Sequence, residues 1–254
     1  MTKIILLANH QNGYNITSYL LSRKDAKIEK IIVISDQKNQ WWPSVYKLAK
    51  KNKLPIHIYK SREALIKSLM KLDFDLIISA NWRYKIPKEL LSLCKLGAVN
   101  FHNSLLPKYR GAYANSWVLF NGETETGVTL HWMTENFDDG DIINQRTIPI
   151  YPEDTAKSLW DRMNVEFLKL FRDVWPNHKK WKMQSKKQTG KASYYSVKDY
   201  VNSNQIKLNK KMEIKQIINF LRSRSFFPYY NDAYFIDAKS RKKVFITAAL
   251  ITQK

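Results

Sequence analysis

A single cysteine, Cys94, stands among the 254 residues, so the chain holds no internal disulfide framework. Its setting, Leu90-Leu91-Ser92-Leu93-Cys94, marks a buried structural thiol rather than a nucleophile. Glycine and proline are scarce at 7 and 8 residues, and with 44% hydrophobic residues this excludes fibrous and disordered chains. Long apolar runs are missing too. Ile4 to Ala8 is far shorter than a secretory core or a membrane span, which leads to the expectation of a cytoplasmic protein that does not enter a membrane. The turn Ala8-Asn9-His10-Gln11-Asn12-Gly13-Tyr14 carries one glycine, too few for the close approach of a dinucleotide pyrophosphate. No loop ends in Gly-Lys-Ser/Thr, and His10, His57, His102, His131 and His178 show no paired metal-ligand spacing, so no metal is expected.

Acidic residues are in deficit, 22 against 43 basic ones, for a net charge of +21. An anionic partner is implied: nucleic acid, an acidic membrane surface or a phosphorylated small molecule. The charge does not choose among them. Much of the excess lies in Lys179-Lys180-Trp181-Lys182, Lys186-Lys187 and Arg241-Lys242-Lys243, runs that read as solvated faces.

Apolar periodicity predicts strands over 3–8, 28–35, 55–59, 75–80 and 97–101, with helices around 16–22, 43–51, 62–72 and 87–93 between them. That alternation predicts an α/β fold with a mostly parallel, Rossmann-like sheet and helices on both faces. Further on, 113–121 reads as a helix, 127–133 and 142–151 as strands, and 155–174 as a long amphipathic helix with Leu159, Met163, Phe167, Leu168 and Phe171 on one side. The expected organisation is a catalytic domain over 1–178, a basic linker over 179–191 and a small C-terminal α+β region over 192–254.

The strand at 97–101 delivers Asn100 and His102 to its carboxyl end, where ligands of open α/β sheets collect. Two residues apart on extended chain, they project to the same side. An amide N–H suits a carbonyl oxygen becoming an oxyanion; an imidazole can donate to it or move the proton of an attacking amine. Asp138, in the loop after the 127–133 strand, supplies a carboxylate to orient the imidazole, and His131 stands behind as support. Taken singly, Asn100 reads as a turn cap, His102 as a partly buried histidine and Asp138 as the start of an Asx turn.

Together with Ser104-Leu105-Leu106-Pro107, Tyr109-Arg110-Gly111 and the later Asp138, Gly140, Asp141 and Ile142, the pattern resembles the folate-dependent formyltransferase family over roughly Lys3 to Trp175. The resemblance implies N10-formyltetrahydrofolate as formyl donor, with Asn100, His102 and Asp138 as catalytic positions. It places the pterin beside the Asp138 loop and the segment 82–87, with Trp82, Tyr84, Ile86, Pro87 and Asp141 as contacts. Within the family, the tRNA branch opens with a Gly-Thr-Pro turn and ends in a sizeable barrel. This chain has Ala8-Asn9-His10 and a short tail instead, and it lacks the glycine-rich first turn of the purine branch.

Arg110 to Trp117, Gly122-Glu123 and Gly127 to His131 look most like the sugar N-formyltransferases. The substrate implied is a nucleoside-diphosphate amino sugar, a dTDP-4-amino-4,6-dideoxyhexose, made for O-antigen-type polysaccharide. Asn9 and Arg83 are the candidates for its pyrophosphate, and Tyr109 and Arg110 are further substrate candidates. In the tail, Phe227, Tyr229 and Tyr230 lie with arginines in Phe220 to Tyr234, a stretch suited to stacking a base and meeting phosphate, or to forming a small core or dimer contact. A homodimer is expected and nucleic acid is not. The alternatives are methionyl-tRNA formylation and, on the charge and aromatic tail, a non-enzymatic RNA-binding module.

Overall fold

Runs of isoleucine, leucine and valine become strands because their branched side chains pack well on a pleated surface covered on both faces. In the computed structural model, which describes residues 1–35, 42–226 and 228–246, the elements run β1 (Thr2–Ala8), α1 (His10–Leu21), β2 (Ala26–Val33), α2 (Val45–Lys51), β3 (Ile56–Ile58), α3 (Arg62–Leu69), β4 (Leu76–Ala80), α4 (Lys88–Leu91) and β5 (Gly97–His102). Then come β6 (Arg110–Gly111), α5 (Ala114–Phe120), β7 (Glu125–Trp132), β8 (Ile142–Pro149), α6 (Ala156–Val174), a 3-10 turn over Trp175–Lys180 and α7 (Trp181–Gln184). The tail holds β9 (Tyr194–Tyr195), α8 (Val197–Asn202), α9 (Ile214–Arg224), β10 (Ser225–Phe226), β11 (Tyr230–Asn231), β12 (Tyr234–Ile236) and β13 (Lys243–Phe245).

The described chain divides into two units. The first comprises Met1–His102, Thr129–Gln145 and Glu166–Thr189, and the second Asn103–Val128, Arg146–Val165 and Gly190–Lys254. The main sheet has seven strands in the order β3-β2-β1-β4-β5-β7-β8. Its first four pairings are parallel, and β7 lies antiparallel to β5. This is the expected α/β sheet with helices on it.

In the first unit, Ile5, Leu7, Ile32, Ile77 and Ala98 form a core with Leu65 and Leu69 of α3 and Leu90 of α4. Burying each of the isoleucine and leucine side chains contributes about 1.5–3 kcal/mol. Helix α3 is fixed at its start by Ser61, whose hydroxyl accepts the Ala64 N–H. Phe101 of β5 packs edge-on against Phe167 and Phe171, the apolar stripe that the periodicity of α6 predicts.

Helix α1 starts at His10, earlier than the expected 16–22. Its first turns are polar, and burial of Asn12 and Gly13 hides the amphipathic period. A Cβ on Gly13 would stand 2.9 Å from the Ala8 carbonyl carbon, which is why the single glycine of that turn sits there. Within the expected linker, α7 is helical, and Trp181 is buried with its Nε1 donating to the Val174 carbonyl at 3.0 Å.

The second unit contains α5, α8, α9 and three short ladders, β6 with β9, β10 with β11 and β12 with β13. Its tail holds two helices, α8 and α9, with the short ladders, an α+β make-up. Helix α8 carries a capping box, Ser196 exchanging hydrogen bonds with Asp199, so its start is locally encoded. Among the described residues no helix is long and apolar enough to cross a membrane.

Candidate active site

Strand register assembles the site. Asn100 of β5 pairs with Ser79 of β4 on one side and His131 of β7 on the other, and residues in register share a face. The Ser79 hydroxyl donates to Asn100 Oδ1 at 2.7 Å. The amide nitrogen is thereby turned away, 3.2 Å from Asp138 Oδ1 and 3.2 Å from His131 Nε2. His131 Nδ1 lies 2.8 Å from the Trp132 carbonyl, which can only accept. The ring therefore donates from Nδ1 to that carbonyl, and its Nε2 edge faces both the Asn100 amide and the Asp138 carboxylate.

Asp138 is the centre of the group. One carboxylate oxygen lies 3.4 Å from His102 Nδ1 and the other 3.4 Å from His131 Nε2, with all three side chains at least nine-tenths buried. His102 thus keeps its Nε2 edge away from the carboxylate. The sequence-derived catalytic residues Asn100, His102 and Asp138 are brought together with His131, all within the first unit.

Asp138 has a left-handed backbone with φ 53°, a conformation that aspartate adopts more readily than most non-glycine residues. Its loop is stitched internally. Asn136 Nδ2 donates to Asp139 Oδ2 at 2.7 Å, the Thr134 hydroxyl bonds the same carboxylate, and the Asn136 N–H donates back to Thr134 Oγ1 at 3.1 Å. A Cβ on Gly140 would fall 2.0 Å from the Trp132 carbonyl oxygen, so this position requires glycine.

Next to this loop, Lys85 Nζ sits 6.0 Å from the Phe137 ring centre, which brings the segment 82–87 against it. Tyr59 and Tyr84 stack at 4.3 Å, and Trp82 meets both edge-on. Trp82 Nε1 is buried and makes no hydrogen bond among the described residues, a donor waiting for an acceptor. Ile86 and Pro87 are buried beneath, Pro87 as the residue preceding α4. Asp141 is partly buried and its main-chain carbonyl accepts the Trp132 N–H at 2.9 Å.

Asn9 caps the start of α1, buried, with extended backbone and no side-chain cap bond. His10 stacks on Trp42 at 3.9 Å. Burial, reinforced by the charge of Arg83, pushes its pKa down to about 4. Arg83 itself is exposed. Asn12 is fully buried, and neither atom of its amide finds a hydrogen-bond partner among the described residues.

Other expectations change. Tyr109 is buried, and its hydroxyl donates to Glu123 at 2.7 Å and accepts from Asn121 at 3.1 Å. Arg110 is half-buried, with its main-chain N–H on Ser193. The tail arginines do not reach out to phosphate. Arg222 bonds the carbonyls of Tyr151 and Pro152. Arg224, 1% exposed, donates to Asn204, Ser223 and Ser203 among the rings of Trp117, Phe120, Tyr200 and Phe220. Tyr229 is exposed, with Lys157 Nζ 5.6 Å from its ring centre. Phe227 and the Tyr230 side chain lie outside the described residues. Ser79 was missed, since a serine inside an apolar strand carries no motif.

Residues 2–175 match the model of the formyl transferase family, and residues 199–252 match that of the N-formyltransferase dimerization C-terminal domain. The bifunctional polymyxin resistance protein ArnA of Wigglesworthia glossinidia brevipalpis is 35% identical over 87% of this chain and 34% of its own length. Methionyl-tRNA formyltransferase of Staphylococcus aureus strain JH1 is 33% identical over 70% of this chain and 58% of its own. The chain therefore spans between a third and three fifths of the length of these curated relatives. Among solved structures, a 4-N formyltransferase from Francisella tularensis superposes with TM-score 0.79 at 24% identity over 99% of both chains. WlaRD, a sugar 3N-formyl transferase crystallised in the presence of dTDP and 5-N-formyl-THF, gives 0.67 at 25% identity over 88% of this chain and 79% of its own. With a family-model match over residues 2–175, more than half its length, the chain belongs to the formyl transferase family.

Proposed function

We propose that the enzyme moves a formyl group from N10-formyltetrahydrofolate to the amino group of a nucleoside-diphosphate-linked sugar, a dTDP-4-amino-4,6-dideoxyhexose. The observation that carries the reaction is the Asp138 carboxylate lying between His102 on one oxygen and Asn100 and His131 on the other. The donor supplies the formyl carbon and a leaving nitrogen. The two N–H bonds of the Asn100 amide face Asp138 and His131, and one of them is exchanged for the oxygen of that carbon as the amine attacks and negative charge develops there. His102 takes the proton that the amine nitrogen loses and passes it to the leaving nitrogen as the old carbon–nitrogen bond breaks. Asp138 favours the charged imidazole in between and fixes the ring. Ser79 and His131 hold the Asn100 amide in the one orientation that presents its N–H bonds.

The aromatic set of Tyr59, Trp82 and Tyr84, with the buried unpaired Trp82 Nε1, fits a flat heterocycle carrying acceptors. Trp82, Tyr84, Ile86, Pro87 and Asp141 are therefore proposed as the folate side of the site. Asn9, the unpaired amide of Asn12 and Arg83 lie around the start of α1, where helical N–H groups and a cation favour phosphate. They are proposed as the diphosphate side. WlaRD, crystallised with dTDP and a formyl-folate, supports the pairing of these two ligand classes. Product use in O-antigen-type polysaccharide is proposed on the same footing.

A homodimer is proposed through the tail. Ile214, Ile217 and Ile218 of α9 and Leu208 are exposed apolar residues inside the stretch that matches the dimerization domain, and a second copy would cover them. The test of the function incubates the protein and the formyl donor with dTDP-4-amino-4,6-dideoxyglucose, its 3-amino counterpart and charged initiator tRNA in parallel. Mass spectrometry of each acceptor is expected to find one added formyl group on the 4-amino sugar. Formylation of the tRNA alone would establish the methionyl-tRNA reading instead.

A further inference from the structure

Gln188 lies far along the chain from the catalytic residues, in the polar stretch after α7, yet its side chain enters their loop. Its Nε2 is 2.9 Å from the main-chain carbonyl of Asp138 and 2.8 Å from that of Gly140. Two carbonyls can both be satisfied only by an NH2 group carrying two protons, so the partners themselves fix which end of the amide faces them. The stretch bearing Gln188 is itself tied down. Lys186 exchanges main-chain hydrogen bonds with Ile142 at 2.7 and 2.8 Å, and α7 ahead of it is anchored by buried Trp181, which packs against Trp132, Phe171 and Trp175. Gln188 is thus a fixed post on which the loop is hung. All of these residues belong to the first unit.

The loop has reason to need it. Asp138 is held at a positive φ, and the stitching by Thr134, Asn136 and Asp139 acts from within the loop, so it fixes the loop's shape rather than its place. Gln188 instead spans the residue that bears the carboxylate and the glycine wedged on the Trp132 carbonyl, and ties both to a different part of the chain. Displacing that backbone would draw the carboxylate away from His102 Nδ1 and Asn100 Nδ2, which stand only 3.4 and 3.2 Å from it.

We propose that Gln188 is a positioning residue for formyl transfer, whose paired hydrogen bonds to the Asp138 and Gly140 carbonyls set the catalytic carboxylate against His102 and Asn100. Through these bonds it acts on the main chain of the loop. The proposal rests on the reading that Asp138 serves the transfer, and the test separates the two.

Gln188→Leu keeps the side-chain volume and removes both donors. Gln188→Glu keeps the shape and sets an anion against two carbonyls. For each variant, steady-state kinetics with formyl donor and amino sugar is run beside amide hydrogen exchange of residues 134–142. Asp138→Ala is the parallel control. Misplacement of a catalytic group by a fraction of an ångström to an ångström costs up to about 10²-fold, so kcat is expected to fall about 10- to 100-fold in Gln188→Leu, with both KM values within about threefold of wild type. Exchange in the loop is expected to rise about tenfold while the β1 and β4 amides stay protected. Gln188→Glu is expected to lose more and to recover in part as falling pH returns a proton, and hence a donor, to the carboxylate. Wild-type kcat in Gln188→Leu beside an inactive Asp138→Ala overturns the role of Gln188 alone, as does unchanged loop exchange. Full turnover in Asp138→Ala overturns the reading of the site, and the loop exchange of Gln188→Leu then still decides whether Gln188 holds the loop.

Discussion

The Ser79 hydroxyl donates to the side-chain oxygen of Asn100 at 2.7 Å across the β4–β5 register. A serine in an otherwise aliphatic strand thus decides which way the Asn100 amide faces. Losing a hydrogen bond of this kind costs about 1 kcal/mol. Ser79→Ala is expected to lower kcat by about 5- to 10-fold through misorientation of the amide, with the melting temperature lowered by only about 2–4 °C. Steady-state kinetics and a thermal melt on the same preparation check it.

Gly140→Ala would bring a methyl group onto the Trp132 carbonyl oxygen. The loop must then move, and Asp138 with it. Turnover is expected to drop about 10²-fold while circular dichroism stays that of the folded protein. An active Gly140→Ala would show that the loop accommodates the methyl without moving its carboxylate.

Burial holds His10 neutral, with its pKa down at about 4 from an ordinary 6.5. The unfolded chain therefore binds a proton between those values that the folded chain refuses. Stability from this residue is fully present above pH 6.5 and is lost as pH falls toward 4, on the order of 3 kcal/mol in all. His10→Asn keeps a residue that tolerates the left-handed φ of 55° and removes the titration. Denaturant unfolding between pH 7 and 4 is expected to show a flatter decline in the variant, by up to about 1.4 kcal/mol per pH unit.

Arg224 is buried among four aromatic rings and bonded to Asn204, Ser203 and Ser223. Removing it strands those groups. Arg224→Met is expected to destabilise the protein by about 2–4 kcal/mol, read as a lower melting temperature, with KM for the nucleotide sugar unchanged well below the melt. A KM rising without loss of stability would restore the phosphate-binding role that the sequence suggests for this arginine.

The branched apolar runs announced β1, β2, β4 and β5, because strands covered on both faces need no alternation to be recognised. Asn100, His102 and Asp138 were legible through their motif, and their meeting follows from register and a tight loop. Helix α1 was read late because its first turns bury polar Asn12 and Gly13. Arg222 and Arg224 looked like surface cations, since nothing local reveals that rings and carbonyls from distant segments enclose them. Gln188 was hidden within a basic, aperiodic stretch, and its partners lie about fifty residues away.

Formyl transfer through the Asp138-centred cluster is tested most directly by comparing wild type with Asn100→Ala, using N10-formyltetrahydrofolate and dTDP-4-amino-4,6-dideoxyglucose. The measurement is kcat, beside the dissociation constant of the sugar nucleotide. Loss of an oxyanion donor lowers turnover by about 10²- to 10³-fold, and that fall with unchanged sugar binding is the expected result. Turnover of the variant within about threefold of wild type would contradict the account.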